Sequence, residues 1–527
     1  MVFCGKPSGG CHACRARKTR CDKVPEGCTQ CKKAKRTCPG YRNPGDLIFR
    51  DESTNVVHKI KAREARESRR TKTKGSPASD ITIPQDDDTE SISLSTSLEI
   101  VQQDNSPLSA EYALAPTLED RAVGCFVFNY VMNRNGPSRG HMQNLAEMSR
   151  VNVLGDSLTT AIKAVGLAAY AHAARAPSLS QNASFQYMKA IQLTNAALRS
   201  PEDVTKDSTL MAIHILSIYE TITGCKQRSF KDWTAHLNGA AAVVKLRGID
   251  QIKDREGRHM LLQLSSQMMI VCMQSNSRLP AHIREYMKAA FAYVEETAGT
   301  PEATFVVQEC MASLSDLRAD IAEGIITDPQ VIISKCVELD GTLLKIVTEV
   351  PPGWEYTTVY TDRDSDFIFN GRYHVYHDHW MAQIWNSLRT LRAMLNEKIR
   401  DLLLEGFSSK PTRFTEPEYA AQFQICTETL IQMHADILAS TVQHLGTGMI
   451  NNTNANPQDL ALIPMSGGAF LMWPLWFAGV MDVANPTSRG FVVKNLHAIA
   501  DILGIQQARV LARSVETQTG LKALTRR

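Results

Sequence analysis

Cys11-His-Ala-Cys14-Arg-Ala-Arg-Lys18-Thr-Arg-Cys21 is echoed seventeen residues on by Cys28-Thr-Gln-Cys31-Lys-Lys-Ala-Lys35-Arg-Thr-Cys38. Both stretches space their cysteines C-x2-C-x6-C, and basic positions recur with them: Arg15 with Lys32, Lys18 with Lys35. Each half can supply a two-residue knuckle, a short helical turn and a returning thiolate. Zinc takes four ligands, so two ions need about eight coordination bonds, which six thiolates supply if two of them bridge. Few apolar residues precede position 45, so metal binding has to stabilise this fold in place of a core. The alternatives are disulfides with spare thiols, or one four-cysteine site with two bystanders. Neither gives the extra cysteines a reason to keep the repeat.

Around this head the chain has 527 residues, 43% of them apolar, enough for two to four domains at roughly 150 residues each. Net charge is only +3 but unevenly placed. Residues 1–75 hold 20 Lys/Arg and 7 Asp/Glu, a net of +13, which leaves −10 on the rest. Seven of the 13 cysteines fall in the first 38 residues. The other six, scattered through the body, read as buried thiols in a reducing compartment. The longest apolar run, Phe470 to Met481, contains Pro474 and is short of the ~20 residues that span a bilayer. The N-terminal residues lack the apolar core of a signal peptide. Neither a membrane partner nor secretion is expected.

Gly10 to Asp22, continued through Cys28-Thr-Gln-Cys31 to Thr37-Cys-Pro-Gly-Tyr41, resembles the fungal zinc binuclear cluster (Zn2Cys6) transcription factors. The resemblance implies two Zn²⁺ held by Cys11, Cys14, Cys21, Cys28, Cys31 and Cys38, with Cys11 and Cys28 bridging. Cys4 lies outside the pattern and takes no role. Pro25 sits in the loop between halves, where many members carry a proline.

Arg15, Arg17, Lys18 and Arg20 lie between the second and third cysteines. A short helix here turns its positive N-terminal end and these side chains towards a duplex. Guanine O6 and N7 in the major groove suit Lys and Arg best. The family reads CGG triplets through this segment, and Lys18 is the matching lysine, with Arg17 next. Arg15, Arg20, Lys32, Lys33, Lys35 and Arg36 are expected to hold phosphates, which set register without reading sequence. The bland alternative is that the cations only keep a small domain soluble. RNA modules usually stack bases on aromatics, and none lies between Cys11 and Cys38. That favours double-stranded DNA as partner.

Lys59, Lys61, Arg63, Arg66, Arg69, Arg70, Lys72 and Lys74 make the segment 46–74 a nuclear localisation signal, an extra DNA contact or a solvated helix face. Residues 75–109, rich in Ser, Thr and acid with no Lys or Arg, read as a disordered linker. It serves as a spacer or, with Ile92, Leu94 and Leu98 among the acids, as an activation segment. Many family members dimerise through a coiled coil past the cluster, but 42–75 sustains no heptad. So small a head needs a second protomer, as a homodimer, or the basic tail for adequate affinity.

From 110 to 527 the pattern is helical: Ala161–Tyr170 and Leu210–Tyr219 space apolar residues by three and four, and Pro201 and Gly224 punctuate them. A large all-α multi-helix domain is expected after the 1–45 cluster. In Trp233–Gly248, Trp233, Leu237, Ala240, Ala241 and Val244 share one face, Gly239 permits close helix approach and Gly248 is a natural C-cap. This stretch, with Trp473–Gly479 and Leu503–Ala508, resembles the fungal-specific transcription factor domain that usually follows such a cluster; 250–420 matches least. His374, His377 and His379 could form a metal site but read better as packing or surface residues, and His236 as a packing histidine. No nucleophile elbow or phosphate-binding glycine loop is present. The two sequons, at Asn182 and Asn451, mean little in a nuclear protein.

The expectation is a nuclear, sequence-specific regulator of transcription by RNA polymerase II, not an enzyme, working with the transcription machinery or co-regulators. Its rivals are an enzyme with a structural zinc module, and a co-regulator scaffold that touches DNA by charge alone.

Overall fold

A computed structural model describes residues 11, 13, 14, 17, 19, 21, 22, 24 and 27–39 of the head, and 116–132, 142, 145, 148, 154–224, 227–298, 303–446 and 463–518 of the body. The basic segment 59–74, the acidic linker 75–109 and Arg15, Lys18 and Arg20 lie outside the described residues. The chain divides into two units, Met1–Thr117 and Leu118–Arg527.

The first unit is cysteine-rich, with helical residues at 13 and 14 and a short helix, α1 (Thr29–Lys33), among its described residues. Among its described residues the buried side chains are Cys11, Cys14, Cys28 and Cys31, so the sulfurs stand where a core would be.

The second unit is helical from α2 (Leu118–Tyr130) through α3 (Gly155–Ala173), α4 (Pro177–Arg199), α5 (Asp207–Thr223) and α6 (Gln227–Arg247). A 3-10 turn and α7 (Arg255–Ser275), α8 (Ala281–Ala298), α9 (Ala303–Ala322) and α10 (Pro329–Thr348) follow. The chain ends in α11 (His379–Ser408), α12 (Pro417–Ala439), α13 (Thr441–Leu445), α14 (Met465–Val480), α15 (Pro486–Ile502) and α16 (Gln506–Glu516). Local chemistry sets many of these ends. Asp254, Asp328, Asp378 and Asn485 accept N–H bonds from Gly257, Gln330, Met381 and Ser488 in the first turns of their helices. Prolines open α4, α10, α12 and α15, where the missing N–H costs nothing. Gly224 caps α5, and Gly248 (φ +76°) stops α6 where the sequence expected it to.

One addition to the helical reading is a hairpin, β1 (Thr357–Tyr360) against β2 (Arg372–Val375), antiparallel, with Thr357 opposite Val375. Its strands are four residues each, too short for alternation to announce them.

Two large apolar clusters fill the body, beside a small one of Ala393, Leu430, Met433 and Met481. One gathers α2 to α8 with α14 to α16; the other gathers α9, α10 and α11 with Trp354 and Phe414. α5 is buried on nearly every face, which is why Leu210–Tyr219 is apolar but for His214 and Ser217. α2 crosses α3 at Gly166, where an added Cβ would stand 1.9 Å from the Ala122 carbonyl oxygen. Trp233, Leu237, Ala240, Ala241 and Val244 are all buried, as the one-face pattern required. No described helix is long and apolar enough to cross a membrane.

Next to these clusters lies a buried polar seam. Arg389, 2% exposed, sits 5.1 Å from the Tyr356 ring and 5.5 Å from those of Tyr376 and Trp385. It donates to the Tyr376 hydroxyl and the Asn386 carbonyl oxygen. Arg372 pairs with Asp436 at 2.6 Å, and Asn386 donates to Ser440 at 2.9 Å. Cations and amides this deep persist because each finds acceptors or aromatic faces.

Candidate metal centre

The head repeats in three dimensions as it does in sequence. The Cys14 N–H donates to Cys11 Sγ at 3.4 Å, and the Cys31 N–H to Cys28 Sγ at 3.4 Å. The Thr19 N–H closes on the Cys14 carbonyl at 2.9 Å, and the Arg36 N–H on the Cys31 carbonyl at 3.0 Å. Each pair is offset by the same seventeen positions as the cysteines. Two copies of one knuckle-and-turn therefore face each other across their sulfurs.

Those sulfurs form two sets. Cys11, Cys14, Cys21 and Cys28 lie with ligand atoms within 4.8 Å of one another, and so do Cys11, Cys28, Cys31 and Cys38. Cys11 and Cys28 belong to both. The Cys11–Cys28 and Cys14–Cys28 sulfur distances are 3.6 Å, and Cys11–Cys31 is 3.7 Å. A disulfide needs about 2.05 Å, and none of the six cysteines is in one. A tetrahedron with metal–sulfur bonds of about 2.3 Å has edges of about 3.8 Å. The donor set thus fits one ion per set, with two sulfurs to share. For Cys11 the Cys14 N–H pulls the thiol pKa down, but burial and neighbouring sulfurs outweigh it and leave it at about 12. Burial pushes Cys28 up as well. Thiolates this close repel, so a cation is what lets them ionise together.

Two residues that the sequence reading passed over position the second set. The Asp22 carboxylate accepts the Thr29 N–H at 3.1 Å and the Thr29 hydroxyl at 2.5 Å, linking the backbone after Cys21 to the first turn of α1. These bonds hold Asp22 below the usual carboxylate range, the hydroxyl bond first. Gly27 has φ +107°, and a Cβ there would stand 3.1 Å from that of Cys38. An Asp directly before a turn and a Gly directly before a ligand cysteine were the legible signals.

Of the residues expected to face DNA, Arg17, Lys32, Lys33, Lys35 and Arg36 are exposed. Lys32 and Lys33 stand in the last turn of α1, and Lys35 follows in the left-handed region at φ +51°.

The body's histidines go separate ways. His374 is buried on β2, with Nδ1 3.0 Å from the Tyr376 hydroxyl; His377, 48% exposed at its side chain, faces Asp378; the His379 ring lies 5.8 Å from that of His444. Among the described residues, only cysteines group as a metal site. His236 is a packing histidine, its Nε2 3.2 Å from the Tyr187 hydroxyl, and burial lowers its pKa to about 4.

A cysteine-lined head able to hold metal and a large helical body define the class of this chain. Residues 137–516 match the family described as fungal specific transcription factor domain, and the chain belongs to that family. That membership places it among transcription regulators, a family of transcription factors and not of enzymes. The head lies outside the matched residues. No curated protein and no solved structure matches the chain.

Proposed function

We propose that the chain is a nuclear, sequence-specific DNA-binding regulator of transcription by RNA polymerase II, of the Zn2Cys6 type. Its head holds two Zn²⁺ with Cys11 and Cys28 shared. The observation that carries this reading is the pair of four-sulfur groups with two members in common. Exposed cations flank them, on a chain whose body is a transcription factor domain.

When bound, zinc fixes the two turns in one geometry. What the chain itself does is present charge. Lys18, with Arg17, reads guanine edges of CGG-type triplets; Arg15, Arg20, Lys32, Lys33, Lys35 and Arg36 hold phosphates, so affinity falls steeply with salt. The body regulates through a metabolite or through co-regulators and the transcription machinery.

The test is selection of duplex DNA from a random pool by the zinc-loaded full chain. Enrichment of CGG triplets, lost on Lys18→Ala while binding to random duplex persists, is the expected result. Equal loss on random and selected duplexes for Lys18→Ala and Lys33→Ala would sink the division between base and phosphate contacts. No enrichment at all would leave a scaffold that holds DNA by charge.

A further inference from the structure

The outer face of α10 carries apolar residues that the body does not cover. Val331 and Val337 are 41% exposed and Leu344 is 40% exposed, with Ile325 and Val350 exposed at the flanks. Ser334, Val337, Gly341, Leu344 and Thr348 follow three-and-four spacing, so they form one continuous stripe along the helix. Gly341 sits at its centre. A glycine inside a helix costs about 1 kcal/mol relative to alanine. Nothing lies within 4 Å of where its Cβ would be, so packing within the body does not require it. A bare backbone at the middle of an exposed stripe is what a second helix needs to come close.

Charge identifies that second helix. Glu338 and Lys345 border the stripe on one side, seven residues apart and both exposed. Neither takes part in an ion pair among the described residues. If a second copy of α10 lies antiparallel with its twofold axis at Gly341, Glu338 faces Lys345 of the other copy and Lys345 faces its Glu338. A twofold pairing of identical faces satisfies both pairs at once, so the face is complementary to itself.

We propose that α10 is a self-association surface, which pairs two copies of this chain antiparallel across Gly341. One helix face is smaller than the ~800 Å² per partner of a standard interface, so the dimer is weak and concentration-dependent. The pairing is a property of the body alone and is independent of how the head meets DNA.

Sedimentation velocity of the full chain from about 1 to 100 μM tests it. The expected result is a monomer–dimer equilibrium within that range. Glu338→Lys alone sets two lysine pairs face to face, and Lys345→Glu alone sets two glutamate pairs; each should weaken association about tenfold. An equimolar mixture of the two variants restores both attractive pairs and should associate nearly as well as the unaltered chain. Leu344→Glu, at an exposed position that leaves helical circular dichroism unchanged, should abolish the dimer. A chain monomeric throughout, a mixture no tighter than its components, or association indifferent to Leu344→Glu would each overturn the proposal.

Discussion

Asp22 accepts both the backbone N–H and the hydroxyl of Thr29, a bond between residues on either side of the loop that joins the two cysteine triplets. The second triplet has no counterpart, because the position seventeen residues after Asp22 is Pro39. The two halves of the head are thus alike in their turns and unlike in their support. Asp22→Ala should weaken metal retention several-fold in chelator competition, chiefly at the set containing Cys31 and Cys38. Asp22→Asn, which keeps an acceptor, should lose less; equal losses would remove the clamp from the account.

The shared sulfurs make a sharper prediction. Cys11→Ser and Cys28→Ser each remove a member of both four-sulfur groups, whereas Cys38→Ser removes a member of one. Native mass spectrometry should find two metal ions on the unaltered chain, about one on Cys38→Ser and fewer on Cys11→Ser. Acid should release the metal with uptake of protons at sulfur, since the ligands bind as thiolates.

Two glycines in helix interiors should behave oppositely. Gly166→Ala drives a methyl group into the Ala122 carbonyl and forces α2 off α3, at a cost of about 2–3 kcal/mol. Gly341→Ala meets open space and should stabilise the monomer by about 0.5–1 kcal/mol. Denaturant midpoints compare the two directly.

At the polar seam, Arg389→Ala strips the Tyr376 hydroxyl and Asn386 of a donor and opens a cavity among three aromatic rings. A loss of about 3 kcal/mol is expected. Arg389→Met fills the cavity without a charge to desolvate, so its midpoint should fall much less. Should methionine prove as costly as alanine, the guanidinium rather than the volume is what the seam depends on.

Stability should fall in mild acid. Burial lowers the pKa of His214 and His236 from 6.5 to about 4, and burial with the nearby Arg389 and Arg372 lowers His374 to about 3. Above pH 6.5 these rings are neutral whether the chain is folded or not, and folding loses nothing. As pH drops from about 6.5 towards 4, the unfolded chain takes up protons that the folded one refuses, at about 3 kcal/mol per ring. Glu397 acts in the opposite sense: burial, with Asp401 and Asp482 nearby, raises its carboxyl from 4.5 to about 7, so the folded state binds its proton first. Melting temperatures between pH 7.5 and 4.5 should drop, and less steeply for His214→Gln. An unchanged slope in that variant would assign the acid sensitivity elsewhere.

The head was legible because its information is local. Six cysteines at repeated spacing announce a cluster of sulfurs, and the two sets follow from knuckles that each close within a few residues. The helices were legible too, since a period of three to four survives whatever the helix packs against, as in Leu210–Tyr219 and in the buried face of Trp233 to Val244. The hairpin at Thr357–Val375 was not, because four-residue strands carry too little pattern. Nor did the sequence separate His374 from His379, which stand five residues apart yet face Arg389 and His444 respectively.

A sulfur-lined head, helical class and segregation of charge were therefore set by residue type and spacing alone. Tertiary structure decided what depends on residues far apart in the chain. It set Arg389 beside Tyr356 and Tyr376 near the apolar clusters, placed the Ala122 carbonyl against Gly166, and left the Val337–Leu344 stripe of α10 bare. Burial is a property of the assembled fold: a valine at a given spacing reads the same whether its neighbours cover it or leave it to a partner.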